Sequence, residues 1–157
     1  MIDHGKNNEI FVMNADATGQ TQITTSQQTS DGPTTDIEPS WSPDGKRILF
    51  RRLTNNFEGV YVINADGTNL RKLFNFIAQE PSWSADGLSI VFDQDSKICT
   101  VNTDNTNFKC LTNANEIDIR PDWQALPNPN PTPTPTPAPT FSLSGKIMFD
   151  GPTAIPG

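Results

Sequence analysis

Apolar residues along this chain come in short runs, and each run stops at a polar turn. Lys46-Arg47-Ile48-Leu49-Phe50 and Leu88-Ser89-Ile90-Val91-Phe92 begin just after the dipeptides Asp44-Gly45 and Asp86-Gly87. Val60-Tyr61-Val62-Ile63 and Ile98-Cys99-Thr100-Val101 follow a variable connection, longer at Arg51–Gly59 and tight at Asp93–Lys97. Leu70–Phe74 and Phe108–Thr112 complete each series. Rich in β-branched and aromatic residues and bounded by turn residues, these runs predict β-strands. Val-Tyr-Val-Ile is apolar on both faces, as expected of a strand held between two layers. No stretch sustains a 3.6-residue apolar period with caps, so almost no helix is predicted.

The same signals recur in the same order. Glu38-Pro39-Ser40-Trp41-Ser42-Pro43-Asp44-Gly45 returns as Glu80-Pro81-Ser82-Trp83-Ser84-Ala85-Asp86-Gly87, and Arg120-Pro121-Asp122-Trp123 opens a worn third copy. The three tryptophans are 42 and 40 residues apart. Between them fall Asn14-Ala15-Asp16, Asn64-Ala65-Asp66-Gly67 and Asn102-Thr103-Asp104-Asn105. Asp66-Gly67 is a hairpin signal, because such turns need positive φ. Asn105 tolerates the left-handed region, whereas Ala17 at the same place predicts a different turn.

A four-strand unit of this period is that of a propeller blade, so the expected fold is all-β: a partial β-propeller of about two and a half four-stranded antiparallel blades, then an extended linker and a β-strand tail. Glu9–Thr24 would supply the last two strands of one blade, and Pro39–Phe74 and Pro81–Thr112 two full blades. Trp123 would start a lone first strand, placed to close against the first blade. The domain reading is residues 1–125 for the blades, 126–140 for a Pro/Thr-rich linker, and 141–157 for the start of a second β-sandwich-like domain. In the linker Pro127, Pro129, Pro131, Pro133, Pro135, Pro137 and Pro139 alternate with other residues. Such a pattern cannot donate a sheet ladder and favours extended polyproline II. After it, Phe141–Gly151 alternates polar and apolar positions, as a strand and turn of an immunoglobulin-like or carboxypeptidase-regulatory-like unit would.

Charge and composition exclude several functions. Eleven basic against eighteen acidic residues give a net charge of −7 with no basic cluster. That argues against nucleic acid, whose binding rests on Lys/Arg contacts to phosphate. No apolar run is long enough for a membrane span. The single histidine, His4, leaves no internal base for Ser42 or Ser84 and no usual zinc set. Phosphate loops are absent, and no cofactor or metal is expected. The start, MIDHGKNNEI, carries no apolar signal region, so the chain is either cytoplasmic or a mature or truncated piece, and the rest of the sequence favours truncation.

Residue by residue, the bland reading is preferred. Trp41, Trp83 and Trp123 at a fixed repeat position read as core between blades before they read as a binding platform. Asp44, Asp66, Asp86 and Asp104, with Gly45, Gly67 and Gly87, read as turn chemistry, since calcium needs several oxygens converging in one loop. Asp93-Gln94-Asp95 is a weak metal candidate. Lys46, Arg47, Arg51 and Arg52 read as a solvated blade end. A turn centred on Asp104-Asn105 sets Cys99 opposite Cys110, within reach of a cross-strand disulfide that would fit an extracytoplasmic compartment; the alternative is two reduced strand residues.

The segment PSWSPDGKRILF followed by VYVINADGTNLRKL resembles the WD-like propeller repeat of TolB, found also in propeller domains of prolyl-oligopeptidase-type peptidases. The resemblance runs from Glu9 to Leu126. It implies six or more blades, so this chain would need further blades or self-association to cover its open faces. It also implies protein partners and a periplasmic or extracellular setting. The expected function is a non-enzymatic scaffold for protein–protein or surface recognition in an exported multidomain protein. The alternatives are a propeller accessory to a peptidase and a carbohydrate or surface adhesin.

Overall fold

A computed structural model describes residues 8–113, 117–123 and 146–150, the last of these as backbone. Among them there is no helix. Strands β1 (Ile10–Asn14) and β2 (Thr21–Gln22) form an antiparallel pair, and β3 (Gln28–Thr29) and β4 (Gly32–Pro33) a small hairpin. Strands β5 (Thr35–Trp41), β6 (Arg47–Leu53), β7 (Glu58–Asn64) and β8 (Arg71–Phe74) make one four-stranded antiparallel sheet in sequence order. Strands β9 (Gln79–Trp83), β10 (Ser89–Gln94), β11 (Lys97–Asn102) and β12 (Lys109–Cys110) make the next. Strand β13 (Lys146–Asp150) lies antiparallel beside β1. The chain is thus an all-β partial propeller: two complete blades preceded by the outer strands of another.

Pleating decides which residues meet. Ile48 and Phe50 on β6, with Ile63 on β7, pack toward Ile10 and Val12 of β1. The alternate positions, Leu49, Val60 and Val62, pack toward Trp83, Ile90, Phe92, Cys99 and Val101 of the following blade. The middle sheet is therefore buried on both faces, which is why its strands carry apolar runs rather than a strict alternation. Phe50, Phe92 and Ile90 are fully buried, and truncating such a phenylalanine would cost about 3–5 kcal/mol.

Two turns recur. In the first, Ser42 Oγ donates to Asp44 Oδ1 (2.6 Å), Lys46 N–H donates to the same oxygen (3.1 Å), and Arg47 N–H donates to Ser42 Oγ (2.9 Å). Ser84, Asp86, Leu88 and Ser89 repeat this set. In the second, the Asp66 carboxylate accepts from the N–H (2.9 Å) and hydroxyl (2.6 Å) of Thr68, whose Oγ1 also accepts from Asn64 Nδ2. Asn102-Asp104-Thr106 and Asn14-Asp16-Thr18 do the same.

Several expectations are corrected. Ala17 adopts the same turn as its counterparts, with φ of 66° against 83° at Gly67 and 67° at Asn105. The Asn-Asp-Thr brace over-determines the backbone there, so the methyl group does not redirect it. The first strands of the blades begin earlier than predicted, at Thr35 and Gln79, and bulge at Glu38-Pro39 and Glu80-Pro81. The connection placed at Arg51–Gly59 shrinks to residues 54–57, because β6 and β7 pair on to Leu53 and Glu58. Trp123 lies in no strand, and the position beside β1 is taken by β13. The proposed linker, residues 126–140, lies outside the described residues, and of the proposed second domain only Lys146–Asp150 is described.

Candidate functional site

The first strands of the two complete blades and the irregular segment at Pro121-Asp122 line a groove. Its walls are Glu38-Pro39-Ser40, Glu80-Pro81-Ser82 and Pro121-Asp122, and its volume is about 290 Å³. Glu38, Glu80 and Arg120 occupy the same place in three repeats, and all three have positive φ: 56°, 48° and 59°. None is glycine and each precedes proline, which disfavours helical-type backbone. Side chains force the geometry across the blades. Glu80 N–H donates to Glu38 Oε2 at 2.7 Å. Arg120 Nε donates to Glu80 Oε1 at 3.1 Å, and Ser82 Oγ to Asp122 Oδ1 at 2.9 Å. Arg51 clamps Glu38 and Glu58 at 2.9 Å each. The charged residues of the lining itself, Glu38, Glu80 and Asp122, are all acidic, and Arg51 and Arg120 pair with the first two from outside it.

The basic residues read as a solvated blade end are instead largely engaged. Arg52 is buried in a bidentate pair with Asp36, Nε to Oδ1 at 2.6 Å and Nη2 to Oδ2 at 2.7 Å. Arg47 lies 4.8 Å from the Trp83 ring centre. Partners on the neighbouring strand and blade, which no local charge pattern reveals, account for the difference. Asp36, Glu38 and Glu58 are the residues that sequence reasoning missed; Asp36 lies opposite Arg52, while Glu38 and Glu58 reach Arg51 from the two flanking strands, and both depend on the register of β5, β6 and β7.

The remaining candidates fall as follows. Trp41 joins the contact between the first and second blades, and Trp83 that between the second and third. Trp123 is 38% exposed and lines a hollow of about 400 Å³ with Ser89, Thr100, Asn102, Phe108 and Leu111. Asp44, Asp66, Asp86 and Asp104 each serve a turn with Gly45, Gly67, Gly87 or Asn105 at its positive-φ position. Their carboxyls are held below the usual value, first by the hydroxyl each accepts from and then by a backbone N–H. Asp93 is buried at the end of β10, which pushes its carboxyl up, while Asp95 belongs to the tight turn that follows. No metal-holding group of three His, Cys, Asp or Glu occurs among the described residues. Cys99 and Cys110 are register partners on β11 and β12 and are disulfide-bonded. No described helix is long and apolar enough to cross a membrane.

This architecture is a TolB-like β-propeller. Among solved structures, the chain is similar to TolB from Acinetobacter baumannii, at 17% identity and a TM-score of 0.52, over 68% of this chain and 31% of that one. It is similar to an oligogalacturonate lyase in complex with manganese, at 17% identity and a TM-score of 0.52, over 63% and 27%. It is also similar to oligogalacturonate lyase from Vibrio parahaemolyticus, at 14% and 0.50, over 64% and 28%. The chain spans about a third or less of each of those proteins. At these identities the likeness is one of fold, and the fold is shared by TolB and by enzymes. No family model and no curated protein matches the chain.

Proposed function

We propose that the chain is a non-enzymatic recognition scaffold whose acidic groove takes a basic segment of a protein partner. One observation carries this reading: two repeats place a strained glutamate, Glu38 and Glu80, at the same point of one groove, and the third sets Asp122 beside them. Strained non-glycine backbone clusters where function demands a fixed geometry. A pre-organised, acidic, proline-lined groove suits a partner bearing Lys or Arg, and fixed geometry lowers the ordering cost of binding. The groove offers carboxylates and hydroxyls but no histidine among the described residues, and the Ser82 hydroxyl is spent on Asp122 at 2.9 Å. The Cys99–Cys110 bond favours an exported, periplasmic or extracellular setting. The lyase likeness is the basis of the competing, enzymatic reading.

The test places a photo-crosslinking residue at Ser82 in the groove, or at Lys72 on an outer strand, in cells exporting the full chain. A protein captured from Ser82 and not from Lys72, and lost on Glu38→Lys with Glu80→Lys, is the expected outcome. Equal capture at both positions refutes the groove as the site. Formation of unsaturated ends from oligogalacturonate by the purified chain would replace the reading with an enzymatic one.

A further inference from the structure

We propose that Lys146–Asp150 is a donor strand that completes the first blade of its own chain. In the two complete blades the third strand is flanked by a second strand on its inner side and a fourth on its outer side. Strand β1 corresponds to a third strand, since its Asn14 opens the same braced turn as Asn64 and Asn102. Its outer neighbour is β2, and its inner neighbour, in the place of a second strand, is β13.

The register is that of the other blades. Asn64 pairs with Arg47 and Asn102 with Ser89; Asn14 pairs with Lys146. Aligned on that pair, Lys146-Ile147-Met148-Phe149-Asp150 falls against Arg47-Ile48-Leu49-Phe50-Arg51 and Ser89-Ile90-Val91-Phe92-Asp93. Isoleucine and phenylalanine coincide at two positions in all three, with an aliphatic or thioether residue between them. The next neighbour agrees as well: β13 lies against β5, as β6 lies against β9 of the blade that follows it. Pairing, sequence and inter-blade contact thus independently assign this segment to one slot.

The physical need is plain. Without an inner neighbour β1 would present unpaired N–H and C=O groups along an edge next to buried Ile10 and Val12, a template for unwanted pairing. A strand added by main-chain hydrogen bonds satisfies that edge. The intervening residues 124–145 give a covalent reach of roughly 70 Å even at polyproline pitch, so tethering permits the same chain to supply the strand. On this reading the segment after the Pro/Thr stretch completes the propeller instead of opening a β-sandwich.

The experiment uses the whole chain with its native disulfide oxidised. Met13→Cys with Ile147→Cys introduces a register pair; Met13→Cys with Phe149→Cys is the off-register control. Mild oxidation at high dilution, read by non-reducing mass mapping, should join the register pair within one chain at least about ten times faster than the control. Equal rates, or joining between chains alone, would overturn the proposal. In a second measurement, Ile147→Pro removes the tail's ladder donor that faces Met13 of β1. Hydrogen exchange should then accelerate at the β1 amides while β6 and β7 keep their protection. Unchanged β1 protection would also overturn it.

Discussion

The buried pair Asp36–Arg52 gives the sharpest energetic test. Asp36 is fully buried on β5, and Arg52 is 6% exposed at the directly opposed position of β6. Two hydrogen bonds of 2.6 and 2.7 Å join them, and the guanidinium carbon lies 5.1 Å from the Tyr61 ring centre and 5.5 Å from that of Phe50. Burial disfavours the charged guanidinium, but the Asp36 hydrogen bond and charge outweigh it and hold its pKa above the ordinary value. Asp36→Asn keeps the size and removes the countercharge, which leaves a buried cation uncompensated; the expected loss is about 3–5 kcal/mol. Replacing both partners, Asp36→Leu with Arg52→Met, removes the charges together and should be within about 1–2 kcal/mol of the parent. Urea unfolding followed by tryptophan fluorescence, with far-UV circular dichroism as a second probe, measures both. A loss below about 1 kcal/mol for Asp36→Asn, or a double variant as unstable as the sum of its singles, would refute the reasoning.

Four further outcomes follow from the same geometry. Ala17→Gly should stabilise by about 0.5–1 kcal/mol, since left-handed backbone strain is relieved at some cost in chain entropy, while Gly67→Ala, whose added carbon would clear Ile23 O by 3.5 Å, should destabilise by a similar amount in thermal unfolding. Asp16, Asp44, Asp66, Asp86 and Asp104 all have folded-state pKa values below the unfolded 3.8, so their stabilisation is complete above that value and lost as pH falls; Asp93, raised by burial, works the opposite way, favouring the fold at low pH. Acid unfolding curves should therefore fall below about pH 4 and be shallower in Asp66→Asn with Asp104→Asn. Thiol titration of the unfolded, non-reduced chain should find no reactive cysteine, and two would remove the Cys99–Cys110 bond. Leu88 and Leu111 are 64% and 57% exposed on the last described blade, so light scattering should show association that rises with concentration and weakens in Leu88→Lys with Leu111→Lys; a monomer at every concentration would refute self-association through these residues.

Much of the fold was legible because each blade announces itself locally. Asp44-Gly45 and Asp66-Gly67 mark turns through backbone conformations that other residues resist, and Val60–Ile63 marks a strand buried on both sides. The opposition of Cys99 to Cys110 followed from one turn and simple counting. What was hidden depends on register between strands or between blades. Arg52 looks like a surface cation until β5 brings Asp36 opposite it, and Glu38 looks like a turn residue until Arg51 and the Glu80 amide converge on it. Likewise Lys146–Asp150 carries an apolar run like that of Arg47–Arg51, but the Pro/Thr stretch before it sets it apart from the repeats until its pairing with β1 is seen.

The strained positions connect fold and groove. A glycine would take the φ of Glu38, Glu80 or Arg120 without penalty, whereas a side chain there costs roughly 1–3 kcal/mol each. The bulge alone therefore does not explain these residues. Their side chains reach along the line of repeats: Glu38 accepts from the Glu80 amide, and Glu80 accepts from Arg120. Glu38 and Glu80 thus each tie their blade to the repeat that follows, along the wall of the groove. Arg120 is mostly exposed, so its pair with Glu80 contributes little by itself, while the Glu38–Arg51–Glu58 clamp is largely sheltered and holds the groove wall. Charged residues at these points fix the spacing of the groove's carboxylates, which a glycine bulge of the same shape could not do.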